Sequence, residues 1–329
     1  MQGRGVIASL PLATPPFADP EARPIDRRKF RDPLVTAKGE PRAHVGLDRL
    51  ETLWLNTGTL CNLACANCYI ESSPLNDALA YLALGEAHAY LDEAEAMGAR
   101  EIGFTGGEPF MNPDIMAMLE AALARGFEVL VLTNALRPMR RHETALGDLA
   151  AAHGARLAMR VSLDHHSRRV HEAERGAGTW EKALEGLQWL ARNGLHLAVA
   201  GRRLDGESEE RARAGYAALF TRLGLDIPAG DPARLVLFPE MDASADVPEI
   251  SEGCWETLGV APSAMMCASS RMVVKAKGAA RPHVVACTLL PYDPQFALGR
   301  TLAEAAGSVR LNHPHCAQFC VLGGASCSG

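Results

Sequence analysis

Between residues 50 and 240 short apolar runs alternate with longer stretches whose apolar residues recur at helical spacing, and this alternation leaves the chain few folds. Glu51–Asn56, Glu101–Thr105, Phe127–Thr133, Arg156–Leu163, Leu195–Ala200 and Arg234–Phe238 read as strands. Ala87, Tyr90, Leu91, Ala94 and Met97 mark one face of the first intervening helix, which Gly98 ends. Asn112 and Pro113 read as the cap and first position of the next, whose stripe is Ile115, Met118, Leu119 and Ala122, with Gly126 as its stop. His142–His153 is a third helix. Thr179 caps a fourth, which turns Ala183, Leu184, Leu187 and Leu190 inward and closes at Gly194, and Glu207–Arg222 is a fifth.

Strand–helix alternation of this kind demands a parallel sheet with right-handed crossovers. The uninterrupted apolar run Phe127–Thr133 fits a strand buried on both faces. The expected fold class is α/β, a partial (β/α)6 TIM-like barrel; a doubly wound open sheet is the alternative. In both, chemistry belongs at the carboxyl ends of the strands. At that edge fall a cysteine loop after the first strand, Gly106-Gly-Glu-Pro109 after the second, Thr133-Asn134 after the third and Ser162-Leu-Asp164 in the fourth.

The remainder divides the chain into three expected parts. Residues 1–45, rich in proline and charge, read as an extended arm, 46–245 as the barrel, and 246–329 as a small cysteine-rich domain of a β-hairpin and a short helix. A net charge of −6 over 329 residues carries no footprint of a nucleic-acid partner. No window has the length of a membrane span or a signal peptide, so the expectation is a cytoplasmic protein without nucleic-acid or membrane partners. In that reducing compartment nine cysteines point to metal binding or catalysis before disulfides.

Cys61, Cys65 and Cys68 lie within eight residues. Three thiolates so close can wrap one soft centre: zinc, copper(I) or iron–sulfur. Their spacing, together with Gly106–Pro109 some forty residues later, resembles the radical S-adenosylmethionine (SAM) enzymes over roughly residues 50–240. The resemblance implies a [4Fe–4S] cluster on the three cysteines, with one iron left for the amino and carboxylate groups of SAM. It implies that Gly106, Gly107, Glu108 and Pro109 receive the amino group, and that Thr133, Asn134 and Ser162 face ribose or carboxylate. Arg175 either pairs with a carboxylate or is a solvated arginine in a strand-to-helix loop. The family has an aromatic residue before its third cysteine; here Asn67 stands there and Tyr69 follows the cysteine, which bears on the adenine contacts.

Plainer readings accompany the other motifs. His165, His166 and His171 read as surface or helix-entry histidines, the basic run Arg137–Arg141 as a solvated face, and Glu240, Asp242, Asp246 and Glu249 as an acidic loop. Toward the end of the chain, Cys267 and Cys287 flank a hairpin signal at Arg271–Lys275 and Pro282–Ala286. Leu298-Gly299 and Leu302–Ala305 read as a short helix, and Cys316, Cys320 and Cys327 follow. This order resembles the SPASM/Twitch auxiliary-cluster domains, although eight residues separate Gly278 from Cys287 where the fuller pattern has four. It implies one auxiliary [4Fe–4S] cluster on Cys267, Cys287, Cys316 and Cys320, with Cys327 as an alternate. A structural zinc fits the same residues, with His313 and His315 available to it.

The expected function is therefore a radical SAM enzyme that oxidises or rearranges a small molecule, served by an electron donor such as flavodoxin or ferredoxin. The alternatives are a peptide- or protein-modifying maturase and, outside catalysis, a zinc- or cluster-binding interaction protein. The small-molecule reading leans on the lack of an N-terminal recognition module of several dozen folded residues.

Overall fold

The computed structural model describes residues 24–204, 206–242 and 244–324. Six strands follow the expected alternation: β1 (Thr52–Asn56), β2 (Glu101–Thr105), β3 (Glu128–Thr133), β4 (Leu157–Ser162), β5 (His196–Arg203) and β6 (Leu235–Pro239). Each pairs in parallel with the next in the chain. That order belongs to a barrel wall and rules out the strand reversal of a doubly wound sheet. The helices between them are α1 (Leu84–Ala96), α2 (Ile115–Ala124), α3 (Glu143–His153), α4 (Arg168–Arg175), α5 (Thr179–Arg192) and α6 (Glu209–Leu223).

Strand alternation separates two cores. Leu53, Leu55, Ile102, Phe104, Val129 and Val131 face the helices, where Ala87, Leu91, Leu119, Leu187 and Leu219 meet them. Trp54 and Leu130 face the other way, toward Met272, Phe296 and Phe319. Burying a large apolar side chain of this kind contributes about 1.5–3 kcal/mol. Trp54 also fixes its neighbour. It stands opposite Gly103 in the β1–β2 register, and a Cβ at Gly103 would lie 2.3 Å from its ring.

The sheet continues past the barrel wall. β7 (Ser270–Val274) pairs in parallel with β1 on the side away from β2, β8 (His283–Val285) is antiparallel to β7, and β9 (Ala297–Gly299) is antiparallel to β8. The hairpin flanked by Cys267 and Cys287 is thus part of one nine-stranded sheet, running from β9 at one end to β6 at the other. From residue 24 the arm is packed down. Arg42 is fully buried, 2.5 Å from Glu249 and bonded to the carbonyls of Asp32 and Val35, and His44–Val45 pairs with Val309–Arg310.

Several local expectations are revised. α2 starts at Ile115; Asn112 Oδ1 accepts from the Asp114 amide just before it, while the Asn112 amide group donates to the carbonyls of Thr57 and Leu82, tying the β1 end to the α1 entry. Gly178, at φ +76°, is the cap of α5, and Thr179 is its first residue. β5 runs on to Arg203 because its last residues still pair with β6. Arg137–Arg140 forms a turn of helix. Leu298-Gly299 lies in β9, and the helical segment beyond it is only the 3-10 turn Glu304–Ala306. Cys327 lies outside the described residues.

Candidate functional site

At the carboxyl ends of the parallel strands is a cavity of about 180 Å³. Cys61, Cys65 and Cys68 form one side of it. Gly106 and Gly107 from the end of β2, Thr133 and Asn134 from β3, and Ser162 from β4 form the strand-end rim. Asp164, Arg175, Arg202, Tyr69 and Phe238 also line it.

The cysteine loop is held from several sides. The Cys61 amide donates to the Ser73 carbonyl and the Ala66 amide to the Glu174 carbonyl. The Asn67 carboxamide donates to the Glu174 carboxylate at 2.8 Å, and Arg202 donates to the Asn67 carbonyl. Backbone amides are aimed at sulfur: Leu63 at Cys61 Sγ, 3.4 Å, and Ser72 at Cys68 Sγ, 3.3 Å. Burial, despite the Leu63 amide, pushes the Cys61 thiol up to about 12; burial also raises Cys65, with Arg175 opposing. Such thiols stay protonated until a metal displaces the proton. Three sulfurs on one cavity, two of them receiving amide hydrogen bonds, fit an iron–sulfur centre with an open coordination position.

The glycine pair meets this loop backbone to backbone. Gly107 donates to the Gly58 carbonyl at 2.7 Å, and the Glu108 amide to that of Leu60 at 3.2 Å. A Cβ on Gly107 would lie 2.2 Å from the Leu60 oxygen, and one on Gly106, which sits at φ +143°, 2.5 Å from the Gly58 oxygen. The motif therefore locks the β2 end against the residues leading into Cys61.

Glu108 is placed differently from its neighbours. Its carboxylate is buried away from the cavity and accepts from Thr133 Oγ1 at 2.7 Å and the Asn134 amide at 2.8 Å. Burial, outweighing those bonds, raises its pKa to about 7. Pro109 opens a buried 3-10 turn and is likewise off the cavity wall. Asn134 reaches back to the cysteine loop, its carboxamide donating to Asn62 Oδ1 at 2.9 Å.

Arg175 is the last residue of α4 and is largely buried, so the picture of a solvated loop arginine does not hold. It clamps Asp164 through contacts of 2.7 and 3.1 Å, and Arg202 approaches the same carboxylate at 3.6 Å while its guanidinium lies 4.8 Å from the Tyr69 ring centre. Burial raises the Asp164 pKa, but the two arginines more than reverse this and hold it below the usual carboxylate range. Arg202 was not foreseen, because the apolar run of β5 ends at Ala200. Its signal was positional: the strand continues in register with β6 beyond that run.

A second cavity gathers Cys267, Cys287, Cys316 and Cys320 among Met265, Met266, Leu290 and Phe296. Cys267 precedes β7, Cys287 follows β8, and Cys316 and Cys320 lie one turn apart in the helical turn Cys316–Val321. Burial raises Cys267 to about 11 and Cys316 to about 12. Four thiols, Cys267 buried and Cys287, Cys316 and Cys320 partly so, converging in apolar surroundings fit a four-thiolate centre. His315 borders this cavity and His313 does not. Leu289 lines both cavities, so one short segment, Cys287-Thr288-Leu289, separates the two thiol sets.

Of the histidines read as surface or helix-entry residues, His165 and His166 stand at the entry to α4 and His171 lies within it; His165 and His171 are buried and His166 is partly so. Glu240, read as part of an acidic loop, is buried as well.

Residues 55–213 match the family described as the radical SAM superfamily. The antilisterial bacteriocin subtilosin biosynthesis protein AlbA of Bacillus subtilis is 30% identical over 141 residues, 43% of this chain and 30% of AlbA. The mycofactocin maturase MftC of Mycobacterium tuberculosis is 32% identical over 150 residues, 46% of this chain and 37% of MftC. The chain thus spans about a third of the length of these curated relatives. Among solved structures, Streptococcus suis SuiB bound to S-adenosylmethionine superposes with a TM-score of 0.55 at 12% identity, over 77% of this chain and 63% of SuiB, a likeness of fold.

Proposed function

The chain carries a radical SAM domain in residues 55–213, and from that premise we propose that it is an enzyme that cleaves SAM reductively and uses the radical to modify a peptide. The observation that carries the first half is the convergence of Cys61, Cys65 and Cys68 with Gly106 and Gly107 on one cavity at the strand ends. A [4Fe–4S] cluster bound there supplies the electron that splits the SAM sulfonium into methionine and a 5′-deoxyadenosyl radical.

The chain's own residues do the rest. Cys61, Cys65 and Cys68 would hold that cluster. The Gly106-Gly107 backbone lets the methionyl end approach closely, and Glu108, buried behind it, fixes Thr133 and the Asn134 amide in place. Thr133, Asn134 and Ser162 offer hydrogen bonds to ribose and carboxylate, and the Asp164–Arg175–Arg202 cluster forms the polar wall facing Cys65. Tyr69 and Phe238 supply apolar surface that excludes water. Cys267, Cys287, Cys316 and Cys320 would hold an auxiliary cluster, which would supply one-electron redox chemistry. An external donor such as flavodoxin or ferredoxin supplies the first electron, and the protein works in the cytoplasm; among the described residues no helix is long and apolar enough to cross a membrane.

The names of AlbA and MftC, a bacteriocin biosynthesis protein and a maturase, favour a peptide over the small molecule first expected. Deuterium tracing tests the choice. Candidate peptides encoded beside this gene, perdeuterated in turn at each residue type, are incubated with reduced protein and SAM. Transfer of deuterium into 5′-deoxyadenosine from a peptide supports the reading; transfer only from a fraction of small metabolites overturns it.

A further inference from the structure

Beside the reaction cavity the same strand edge carries three ligand-type side chains that the SAM site does not use. His165 and His166 follow β4, directly after Asp164, and Glu207 follows β5. One coordinating atom from each lies within 4.8 Å of the other two. His165 Nε2 is 3.3 Å from Glu207 Oε2, and the two imidazoles stack with centroids 3.9 Å apart.

The set is held in place. The other nitrogen of His165, Nδ1, accepts from the Ser167 amide at 3.0 Å and lies 2.8 Å from Ser167 Oγ, which fixes the ring's orientation. The His166 ring rests on α6 where Gly215 leaves room, since a Cβ there would lie 2.4 Å from its Nε2. Tyr216, anchored by a 2.6 Å bond to the Leu163 carbonyl, meets that ring edge-on.

An ordinary histidine–carboxylate hydrogen bond accounts for His165 and Glu207. It does not account for His166, whose Nδ1 is buried without a hydrogen-bond partner. Such an atom in a packed structure calls for a missing partner. Two imidazoles and a carboxylate form the three-ligand set of open zinc sites, and nitrogen and oxygen donors separate this site from the soft thiolate cavities. Tetrahedral zinc spaces such ligands about 3.3 Å apart, within reach of side-chain rotation here. Glu207 also lines an outer cleft of about 500 Å³, which gives the position an entry path.

We propose that His165, His166 and Glu207 bind one divalent cation of the zinc class, leaving a coordination position for water or a substrate oxygen.

The test uses cluster-loaded protein dialysed anaerobically against micromolar zinc, with zinc and iron counted per chain. One zinc beyond the iron is expected. His166→Ala and Glu207→Gln are each expected to weaken zinc binding at least tenfold while iron content and melting temperature stay at the parent values. As a check that needs no variant, cobalt(II) added to the parent with its clusters in the diamagnetic oxidised state should give a high-spin signal of nitrogen and oxygen ligation. No bound zinc in the parent, zinc retained by both variants, or thiolate-ligated cobalt overturns the proposal. None of these readouts involves SAM cleavage, so the metal site and the enzymatic reading stand or fall separately.

Discussion

Replacing Gly107 with alanine tests why two glycines stand at the end of β2. The new methyl would lie 2.2 Å from the Leu60 carbonyl oxygen, 2.6 Å from its carbon and 2.7 Å from the Thr59 oxygen. All three atoms are backbone, so no side chain can swing aside; the segment leading into Cys61 must move, or the 2.7 Å bond from Gly107 to Gly58 must break. Overpacking of this kind costs roughly 1–3 kcal/mol, which in a chain of this size lowers the melting temperature by roughly 2–10 °C. Because the displaced residues adjoin Cys61, iron content should fall along with stability. Differential scanning calorimetry on anaerobic protein reads the first effect and iron analysis the second. Gly147→Ala is the control: it lies within α3 with nothing inside 4 Å of an added Cβ, and should stabilise by up to about 1 kcal/mol. A Gly107→Ala protein that melts with the parent and carries full iron would refute the close-approach argument.

Asp164→Asn leaves two mostly buried arginines facing a neutral amide, and the loss of one partner from such a cluster costs about 3–5 kcal/mol; a urea midpoint close to the parent's would show that solvent already compensates those charges. Glu108 titrates near 7 in the fold against about 4.5 unfolded, so the stability it allows is complete below about pH 4.5 and is lost as pH rises through 7, by on the order of 3 kcal/mol. Melting of cluster-free protein from pH 5 to 8 should show this decline, and Glu108→Gln should flatten it; parallel curves for the two proteins would contradict it. Cys316→Ser should remove roughly four of roughly eight irons per chain, as expected when one of two four-iron clusters is lost, while SAM cleavage persists; unchanged iron would exclude Cys316 as a ligand.

The parallel wall was legible because its strands are uninterrupted apolar runs and its helices carry one apolar stripe each. Cys61, Cys65 and Cys68 were legible because the three thiols fall within eight residues. What the sequence hid depends on distant pairing. Nothing near Ser270–Val274 says that it will pair with Thr52–Leu55, more than 200 residues earlier, and join the hairpin to the barrel wall. Glu108 reads as a cavity carboxylate until Thr133 and Asn134, from the next strand, are seen to capture it. Arg202 was lost because a strand was ended where its hydrophobicity ended, although its backbone pairing did not. His165 and His166 read as surface or helix-entry residues, and they do enter α4; what the sequence does not show is that Tyr216 of α6 packs on His166. The helix starts shifted at Asn112 and Thr179: Asn112 Oδ1 accepts from the Asp114 amide in a turn that precedes the helix, and the Thr179 hydroxyl donates to the Gly176 carbonyl from inside the first turn.

The most direct test of the account is SAM cleavage by anaerobically reconstituted protein. Reduced with dithionite, the parent should be brown, hold roughly eight irons in two four-iron clusters, and release 5′-deoxyadenosine from SAM. Replacing Cys61, Cys65 and Cys68 together with alanine should abolish that release and leave roughly four irons on the distal cysteines. A colourless zinc protein that leaves SAM intact would contradict the account at its centre.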